Sequence, residues 1–303
     1  MQTLFEILLK EEFWFVVIRS TTPILLTTLG AMIAAHAGAR NIALEGTMLT
    51  GAFIGVWISH QTQSAFIGVL GVVISGVIIS NIISYFALKL KSNIIITGIS
   101  INIIASGMTV FGLFLLTGGK GTSTSLNSLE LPDINIPIVE NIPIIGKILS
   151  GHNVLTYVSI IMVAIVYIIF KHTKLGLRIK AVGENAEAAE SVGINVNRTK
   201  YIALCMSGAL AALGGAFLSM GYVTLFTAGM TSGRGYIALA TQSMAGANPI
   251  LGLLSSTLFG FYESLSNYIQ GINIPIEFIQ MMLYLATVII YVIFCANQKG
   301  ENI

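Results

Sequence analysis

The stretch KHTKLGLRIKAVGENAEAAESVGINVNRTK, residues 171–200, is the one long charged segment in an otherwise apolar chain. It holds six of the 15 Lys and Arg residues, together with three glutamates. Apolar runs on both sides predict membrane spans, and a polar segment of this length must then lie in water. Its density of Lys and Arg predicts that this water is the cytoplasm, because cytoplasmic loops carry an excess of both residues.

The composition predicts a polytopic membrane protein. Hydrophobic residues make up 55% of the 303 residues, charged residues make up 9%, and the mean hydropathy is +0.86. A soluble domain carries about 25% charged residues, so this chain has too few charges to cover a water-exposed globular surface. The net charge of +2 gives no reason to expect a nucleic-acid partner. We expect a single all-α membrane domain over residues 1–303.

Apolar runs long enough to cross about 30 Å of hydrocarbon mark the predicted spans. They lie at about 14–35, 42–60, 65–88, 92–116, 153–170, 201–224 and 276–296, with a broken region at about 235–268. About 8–10 spans are expected, some of them broken helices. Residues 117–152 are expected to form an ordered extracytoplasmic loop, with a short helix near residues 144–149.

The distribution of Lys and Arg predicts the orientation of the chain. Ten of them fall on the cytoplasmic side if residues 171–200 lie there, whereas Lys120 and Lys147 fall outside. This arrangement requires the broken region to return to the outer face, or to cross twice, so that Lys299 ends inside. It also predicts an N-terminus that lies outside or along the membrane interface.

A helix–turn unit lies in the middle of the charged segment. Glu187-Ala188-Ala189 is followed after three residues by Gly193. Small alanines let a helix lie flush in a partner's groove, and glycine allows the turn that ends the helix. The same residues also fit a solvated surface helix that has no partner.

The unit resembles the EAA-type coupling loop of ABC importer permeases. Its flanks, LGLRIKAVGEN and SVGINVNRTKYIALCMSGALAALGGAF, are similar to the permease family that serves ribose, branched-chain amino acids and nucleosides. The resemblance implies a cytoplasmic coupling loop at 171–200 in which these residues meet an ATPase: Gly183, Glu184, Asn185, Glu187, Ala188, Ala189 and Gly193.

Two further blocks resemble the nucleoside branch of that family. They are HAGARNIALEGTMLTGA, residues 36–52, with its Asn41–Gly46 core, and residues 232–265. In the second block, Gly246-Ala247 precedes Asn248-Pro249, where a more usual member has a Gly-Arg or Gly-Lys pair. This departure leaves ribose or a related sugar as an alternative substrate.

The resemblance implies a type II importer permease, similar to the smaller permease subunit of nucleoside uptake systems in the bacterial plasma membrane. The expected partners are a larger homologous permease, two cytoplasmic ATPases and a substrate-binding lipoprotein that delivers the nucleoside. The chain has no ATP-hydrolysing motif and no enzyme-like Ser/His/Asp or Cys/His arrangement. ATP and Mg²⁺ are therefore expected on the ATPases, and no cofactor is expected in this chain.

Polar residues within apolar runs are candidates for the translocation path. Glu45, with Asn41, fits a group that pins a broken helix beside the path, a structural anchor to backbone, or a substrate contact. Asn102 and the later Phe111 suit a base ring through hydrogen bonding and stacking. An amide in a membrane helix also serves as interhelical glue.

Arg234 precedes a short apolar stretch that stops at Gly246. A half-helix that starts there predicts a path-lining element at 236–250, with Gln242 and Ser243 as its polar groups. An external turn followed by an ordinary helix fits the same pattern. Glu263, near the end of its span, is expected to reach an interface.

The rival hypothesis from another class is an ion-coupled carrier that uses Glu45 and Glu263 as proton or sodium sites. Such carriers commonly have two halves with matching broken helices, whereas only one clear break is found here. The four histidines are dispersed at span ends, and no pair of them has metal-ligand spacing, so no metal site is expected. Cys205 and Cys295 lie inside apolar segments and are expected to pack as small core residues.

Overall fold

A computed structural model describes residues 8–137 and 145–269. Its helices are α1 Glu11–His36, α2 Leu44–Thr62, α3 Ala65–Ser84, α4 Ile94–Thr117, α5 Ile145–Leu149, α6 Val154–His172, α7 Lys174–Glu184, α8 Ala186–Ser191, α9 Val196–Phe217, α10 Arg234–Ala245 and α11 Pro249–Ile269. One π-helical turn extends α3 over Tyr85–Lys89, and another extends α9 over Leu218–Tyr222. Two short strands, β1 Asp133–Ile134 and β2 His152–Asn153, pair antiparallel.

Within residues 8–137 and 145–269, five helices are long and apolar enough to cross a membrane. They are α1, α3 with its π-turn, α4, α6, and α9 with its π-turn. The all-α membrane fold expected from the sequence is therefore confirmed. α2 lies where the second span is predicted, over Leu44–Thr62. The predicted last span at 276–296 lies outside the described residues.

The first and ninth helices form the centre of the bundle. Within their most apolar windows, 83% of α1 and 72% of α9 is buried, against 28% of α3 and 22% of α4. The polar side chains of α1 fit this position because hydroxyl groups such as those of Thr21 and Thr27 donate to carbonyls one turn earlier. In contrast, α3 and α4 present rows of apolar side chains at the surface.

The broken region is a hairpin of two unequal helices. α10 has 12 residues, about 18 Å, and is too short to cross the hydrocarbon. α11 returns alongside α1 in the opposite direction, since Ser256 contacts Thr28 and, further along, the Phe261 ring lies 5.4 Å from that of Phe13. The region thus returns to the side from which it entered, as the orientation argument requires.

The loop after α4 is ordered against the ends of α6 and α9. The Leu131 amide donates to the Met220 carbonyl at 3.0 Å, and the Asn153 side chain donates to the Leu131 carbonyl at 2.8 Å. Thr122 also forms a bridge with Thr227, in the segment that leads to α10. The loop is thus tied to the same end of the bundle as the chain that enters the hairpin.

Candidate functional site

The carboxylate of Glu45 closes the start of α10. Its Oε1 accepts hydrogen bonds from the Thr231 hydroxyl at 2.6 Å and from the Gly233 amide at 2.8 Å. Its Oε2 accepts the Gly235 amide at 2.7 Å. The first amides of a helix have no partner within that helix, so an acid on α2 supplies the cap. The positive end of the helix dipole also stabilises the carboxylate.

Asn102 joins three helices through one buried amide. Its Oδ1 accepts the Gly46 amide of α2 at 2.8 Å. Its Nδ2 donates to the Ile42 carbonyl and to the Tyr236 hydroxyl of α10, both at 3.0 Å. The side chain therefore fixes α4 against the beginnings of both α2 and α10, which is the interhelical role that an amide commonly has in membranes.

A cleft of about 380 Å³ opens beside these two residues. The apolar part of its wall comes from Leu49, Ile99 and Ile103, and the polar part includes Ser106, Ser232 and Tyr236 in addition to Glu45, Asn102 and Thr231. The Tyr236 side chain is 47% exposed. The cleft therefore combines an accessible aromatic ring, hydroxyl groups and an apolar wall. We call it the α2–α4–α10 cleft.

Arg234 and Glu263 form a buried ion pair that closes the hairpin. The guanidinium Nη2 donates to Glu263 Oε1, and Nη1 donates to the carbonyls of Met230 and Thr231 at 3.1 and 3.2 Å. The expectation that Glu263 reaches an interface is wrong, because the residue is 9% exposed. A charge at this depth is stabilised by pairing, and Arg234 supplies the pair from the first turn of α10.

Local hydrogen bonds define the short helix in the charged segment. Asn185 caps α8, since its Oδ1 accepts the Ala188 amide at 3.0 Å. Gly193 follows the helix in a left-handed conformation with φ of 82°, and its amide donates to the Glu190 carbonyl at 2.9 Å. The predicted helix–turn unit is thus present in the structure.

The coupling residues predicted in this unit differ in accessibility. Glu184, Glu187 and Ala188 are exposed, whereas Ala189 is 3% exposed and packs within its own chain. Gly183 lies against the His36 carbonyl at the end of α1, so closely that any side chain would overlap it. The α8 unit therefore presents exposed glutamates, and the charged segment is in direct contact with a central helix.

Comparison with known proteins identifies the family. Residues 14–294 match the family described as "Branched-chain amino acid transport system / permease component". The chain belongs to this permease family. Together with the relatives below, this makes it a permease subunit of an ABC importer, a transport component rather than an enzyme.

Two relatives of the permease come from Lactococcus lactis subsp. cremoris. The nucleoside ABC transporter permease protein NupC is 33% identical over 90% of this chain and 89% of its own length. The nucleoside ABC transporter permease protein NupB is 27% identical over 86% of this chain and 74% of its own length. A third relative, the putative glucose ABC transporter permease protein TsgC13 of Haloferax volcanii, is 29% identical over 86% of this chain and 78% of its own length.

The fold of the permease is also found among solved structures. PsaBC from Streptococcus pneumoniae, solved in complex with a Fab, matches with a TM-score of 0.51 at 16% identity, over 92% of this chain and 89% of that chain. At this level of identity the match concerns the fold alone.

The permease brings together only some of the predicted path residues. Glu45 and Asn102 line the same cleft. Asn41 does not: it is 1% exposed, and its Nδ2 donates to the Ser207 hydroxyl of α9 at 3.1 Å. Ser243 does not line the cleft either: it lies two turns beyond Tyr236 on α10, where its hydroxyl donates to the Leu239 carbonyl.

Neither of the other two predicted path residues lines the α2–α4–α10 cleft. Gln242 is half-buried near the end of α10, and Phe111 is 56% exposed on α4, nine residues after Asn102. Tyr236, Thr231 and Ser232 were not predicted as cleft residues. The only signal for them in the sequence is their position beside the Gly-Arg-Gly that begins α10.

Proposed function

We propose that this permease forms, in a bacterial plasma membrane, part of the path by which an ATP-driven importer takes up nucleosides. The observation that carries the proposal is the 33% identity to a nucleoside permease over 90% of the chain. The α2–α4–α10 cleft supports it, because an exposed Tyr236 ring offers stacking to a base and nearby hydroxyls offer hydrogen bonds to a ribose.

The cleft fits a path better than a tight binding site. Both carboxylate oxygens of Glu45 and both polar atoms of Asn102 already have partners in the protein. A passing solute is therefore left with the Tyr236 ring and the hydroxyl groups. Contacts of this kind are weak, which suits alternating access, since a tightly held solute would be released slowly.

The exposed acidic face of α8 supports docking of an ATPase. In this proposal two ATPases, which carry ATP and Mg²⁺, hold the coupling segments of two permeases, and a substrate-binding lipoprotein delivers the nucleoside from outside. Similarity to both NupC and NupB, two permeases of one organism, supports pairing with a second homologous permease. Movement of α8 would reach the bundle through the contact between Gly183 and His36.

Uptake assays with several labelled solutes test which substrate is transported. Cells with and without this chain receive labelled uridine, adenosine, ribose and glucose in parallel, and each arm is repeated after ATP depletion. We expect ATP-dependent uptake of nucleosides that disappears with the chain. Loss of ribose or glucose uptake alone would overturn the nucleoside proposal in favour of a sugar, the alternative that the similarity to TsgC13 supports.

A charge reversal tests docking separately. Glu187→Lys is expected to abolish ATP-driven uptake, because a carboxylate that meets a basic groove would become a like charge. Glu12→Lys, at an exposed position in the first turn of α1, is the matched control. Normal uptake by Glu187→Lys at equal expression would overturn the docking proposal and leave the substrate proposal intact.

A further inference from the structure

A second, larger depression lies between α3 and α9, away from the α2–α4–α10 cleft. The two helices touch where Gly76 meets Gly208, with no room for a side chain at either position. α3 continues past Ser84 as the π-turn Tyr85–Lys89. A space of about 700 Å³ opens between the last turns of α3, this π-turn and the first residues of α9. We call it the α3–α9 groove.

The groove has an apolar wall and a basic rim. Ile78, Ile82 and Phe86 line the wall and are 53%, 45% and 44% exposed. Lys89 and Arg198 form the rim, and neither has a carboxylate partner among the residues that the structure describes. The groove therefore has an open hydrophobic surface that ends at two positive charges.

The rim lies at the level of the charged segment. Arg198 belongs to the first turn of α9, directly after α8 and its turn, and Lys89 faces it from the π-turn. The positive-inside rule assigns this end of the bundle to the cytoplasm. Tyr85 and Tyr201 also line the groove, and tyrosine is enriched where a membrane meets water.

We propose that the α3–α9 groove binds an anionic phospholipid of the cytoplasmic leaflet. Its phosphate lies between Lys89 and Arg198, and one acyl chain follows Ile78, Ile82 and Phe86. Basic pockets between membrane helices on the cytoplasmic side have this charge complementarity with anionic headgroups.

Bound lipid would also stabilise the connection between α8 and the helix bundle. The groove is bounded on one side by Asn197 and Arg198, which directly follow the turn after α8. A lipid that bridges Arg198 and Lys89 would link this turn to α3. Anionic lipid is therefore expected to raise ATP-driven transport in addition to being bound.

Lipid retention in defined nanodiscs tests the proposal. The permease, purified with its partner subunits, is placed in phosphatidylcholine discs that contain a minor fraction of phosphatidylglycerol, and the lipid retained on re-extraction is quantified by mass spectrometry. Each basic residue near an anionic surface contributes about a fivefold effect. Lys89→Gln/Arg198→Gln is therefore expected to lower phosphatidylglycerol retention about 25-fold, while phosphatidylcholine is unchanged.

Two further variants make the result specific. Lys91→Gln/Lys174→Gln removes the same charge from exposed positions outside the groove and is expected to change retention less than twofold. Ile82→Trp keeps both charges but fills the apolar wall, and it is expected to lower retention as well. Equal losses in both charge variants would reduce the effect to general surface attraction. No enrichment of phosphatidylglycerol in the unmodified protein would overturn the proposal.

Discussion

The Oε2 atom of Glu45 lies 2.7 Å from the amide nitrogen of Gly235, on a helix that begins 189 residues later in the chain. A side chain at Gly235 would meet the Glu45 backbone nitrogen at 2.5 Å, so this approach requires glycine. The contact supplies a cap that α10 cannot supply from its own sequence, because Gly233 at the preceding position has no side chain. It also explains how a half-helix starts within the bundle without free amides.

Removal of the Glu45 charge is expected to loosen α10. In Glu45→Gln one oxygen still accepts hydrogen bonds, but the amide group that replaces Oε2 faces the Gly235 amide as a second donor. Loss of this cap and of the charge–dipole interaction costs about 1–2 kcal/mol. We expect a lower thermal unfolding midpoint and reduced uptake. Glu12→Gln, exposed on α1, is the control, and an unchanged midpoint in Glu45→Gln would contradict the capping role.

The amide of Asn102 and the hydroxyl of Tyr236 are expected to be energetically coupled. Tyr236→Phe removes one hydrogen bond, worth about 1 kcal/mol, and Asn102→Ala removes that bond together with two others. The double variant should therefore be about 1 kcal/mol more stable than the sum of the two single effects predicts. Chemical unfolding of the four proteins measures this coupling. Tyr201→Phe, distant on α9, should add to Asn102→Ala without coupling.

The sequence predicted the fold well because the membrane restricts it strongly. A span needs about 20 apolar residues, so the apolar runs locate the helices, and the distribution of Lys and Arg indicates their direction. The α8 unit was predictable for a similar reason, since Asn185 and Gly193 act within one turn of their own positions. Structure that depends on contacts between neighbouring residues can be predicted from a short stretch of sequence.

The site was only partly predictable, because its contacts join distant residues. The sequence around Glu45 was enough to predict that it pins a broken helix. Nothing in that local sequence identifies Thr231 or Gly235 as its partners. Asn41 has the same polar character as Asn102, yet Asn41 packs against Ser207 in the core and Asn102 reaches the cleft. Glu263 was misplaced for the same reason, since its partner Arg234 lies on the other arm of the hairpin.

The Arg234–Glu263 pair gives a test that separates the importer from an ion-coupled carrier. Glu263→Ala alone leaves a buried guanidinium unpaired and should cost about 3–5 kcal/mol. Arg234→Met/Glu263→Met removes both charges and should restore much of the stability and the ATP-dependent uptake. If the protein were a carrier that used Glu263 as its ion site, both variants would lose transport. In that case an ionophore would also abolish uptake by the unmodified protein.

The loop after α4 is expected to weaken in acid through His152. Burial lowers the pKa of His152 below its usual 6.5, and the charge of Arg19 lowers this pKa further. The hydrogen bond to the Ile148 carbonyl and the charge of Asp133 raise the pKa but do not cancel the effect of burial. The folded loop therefore holds the neutral ring, stacked 4.0 Å from Phe15. Because the unfolded loop binds more protons, the stability is fully present above about pH 6.5 and falls as the pH drops below it.

Hydrogen exchange of residues 131–153 measures this effect. After correction for the intrinsic rate, exchange should be faster at pH 5.5 than at pH 7.5. His152→Phe keeps an aromatic ring against Phe15 and cannot be protonated, so its exchange should no longer depend on pH. His60→Gln, at a partly exposed position at the end of α2, should leave the dependence in place. A pH effect that persists in His152→Phe would assign it to another group.

The turn at Gly193 gives a test of how the coupling helix is held. Its φ of 82° is left-handed, and no atom lies within 4 Å of the place where a side chain would begin. A substitution therefore acts through backbone conformation rather than through a clash within this chain.

Gly193→Val forces a β-branched residue into a region that costs it about 1–2 kcal/mol, so the turn should rearrange and ATPase co-purification should fall several-fold. Gly193→Asn adds a side chain of similar size that tolerates this conformation, and co-purification should change less than twofold. An equal loss in both variants would mean that the ATPase needs the open space above Gly193, and the turn's geometry would then not be what holds α8 in place.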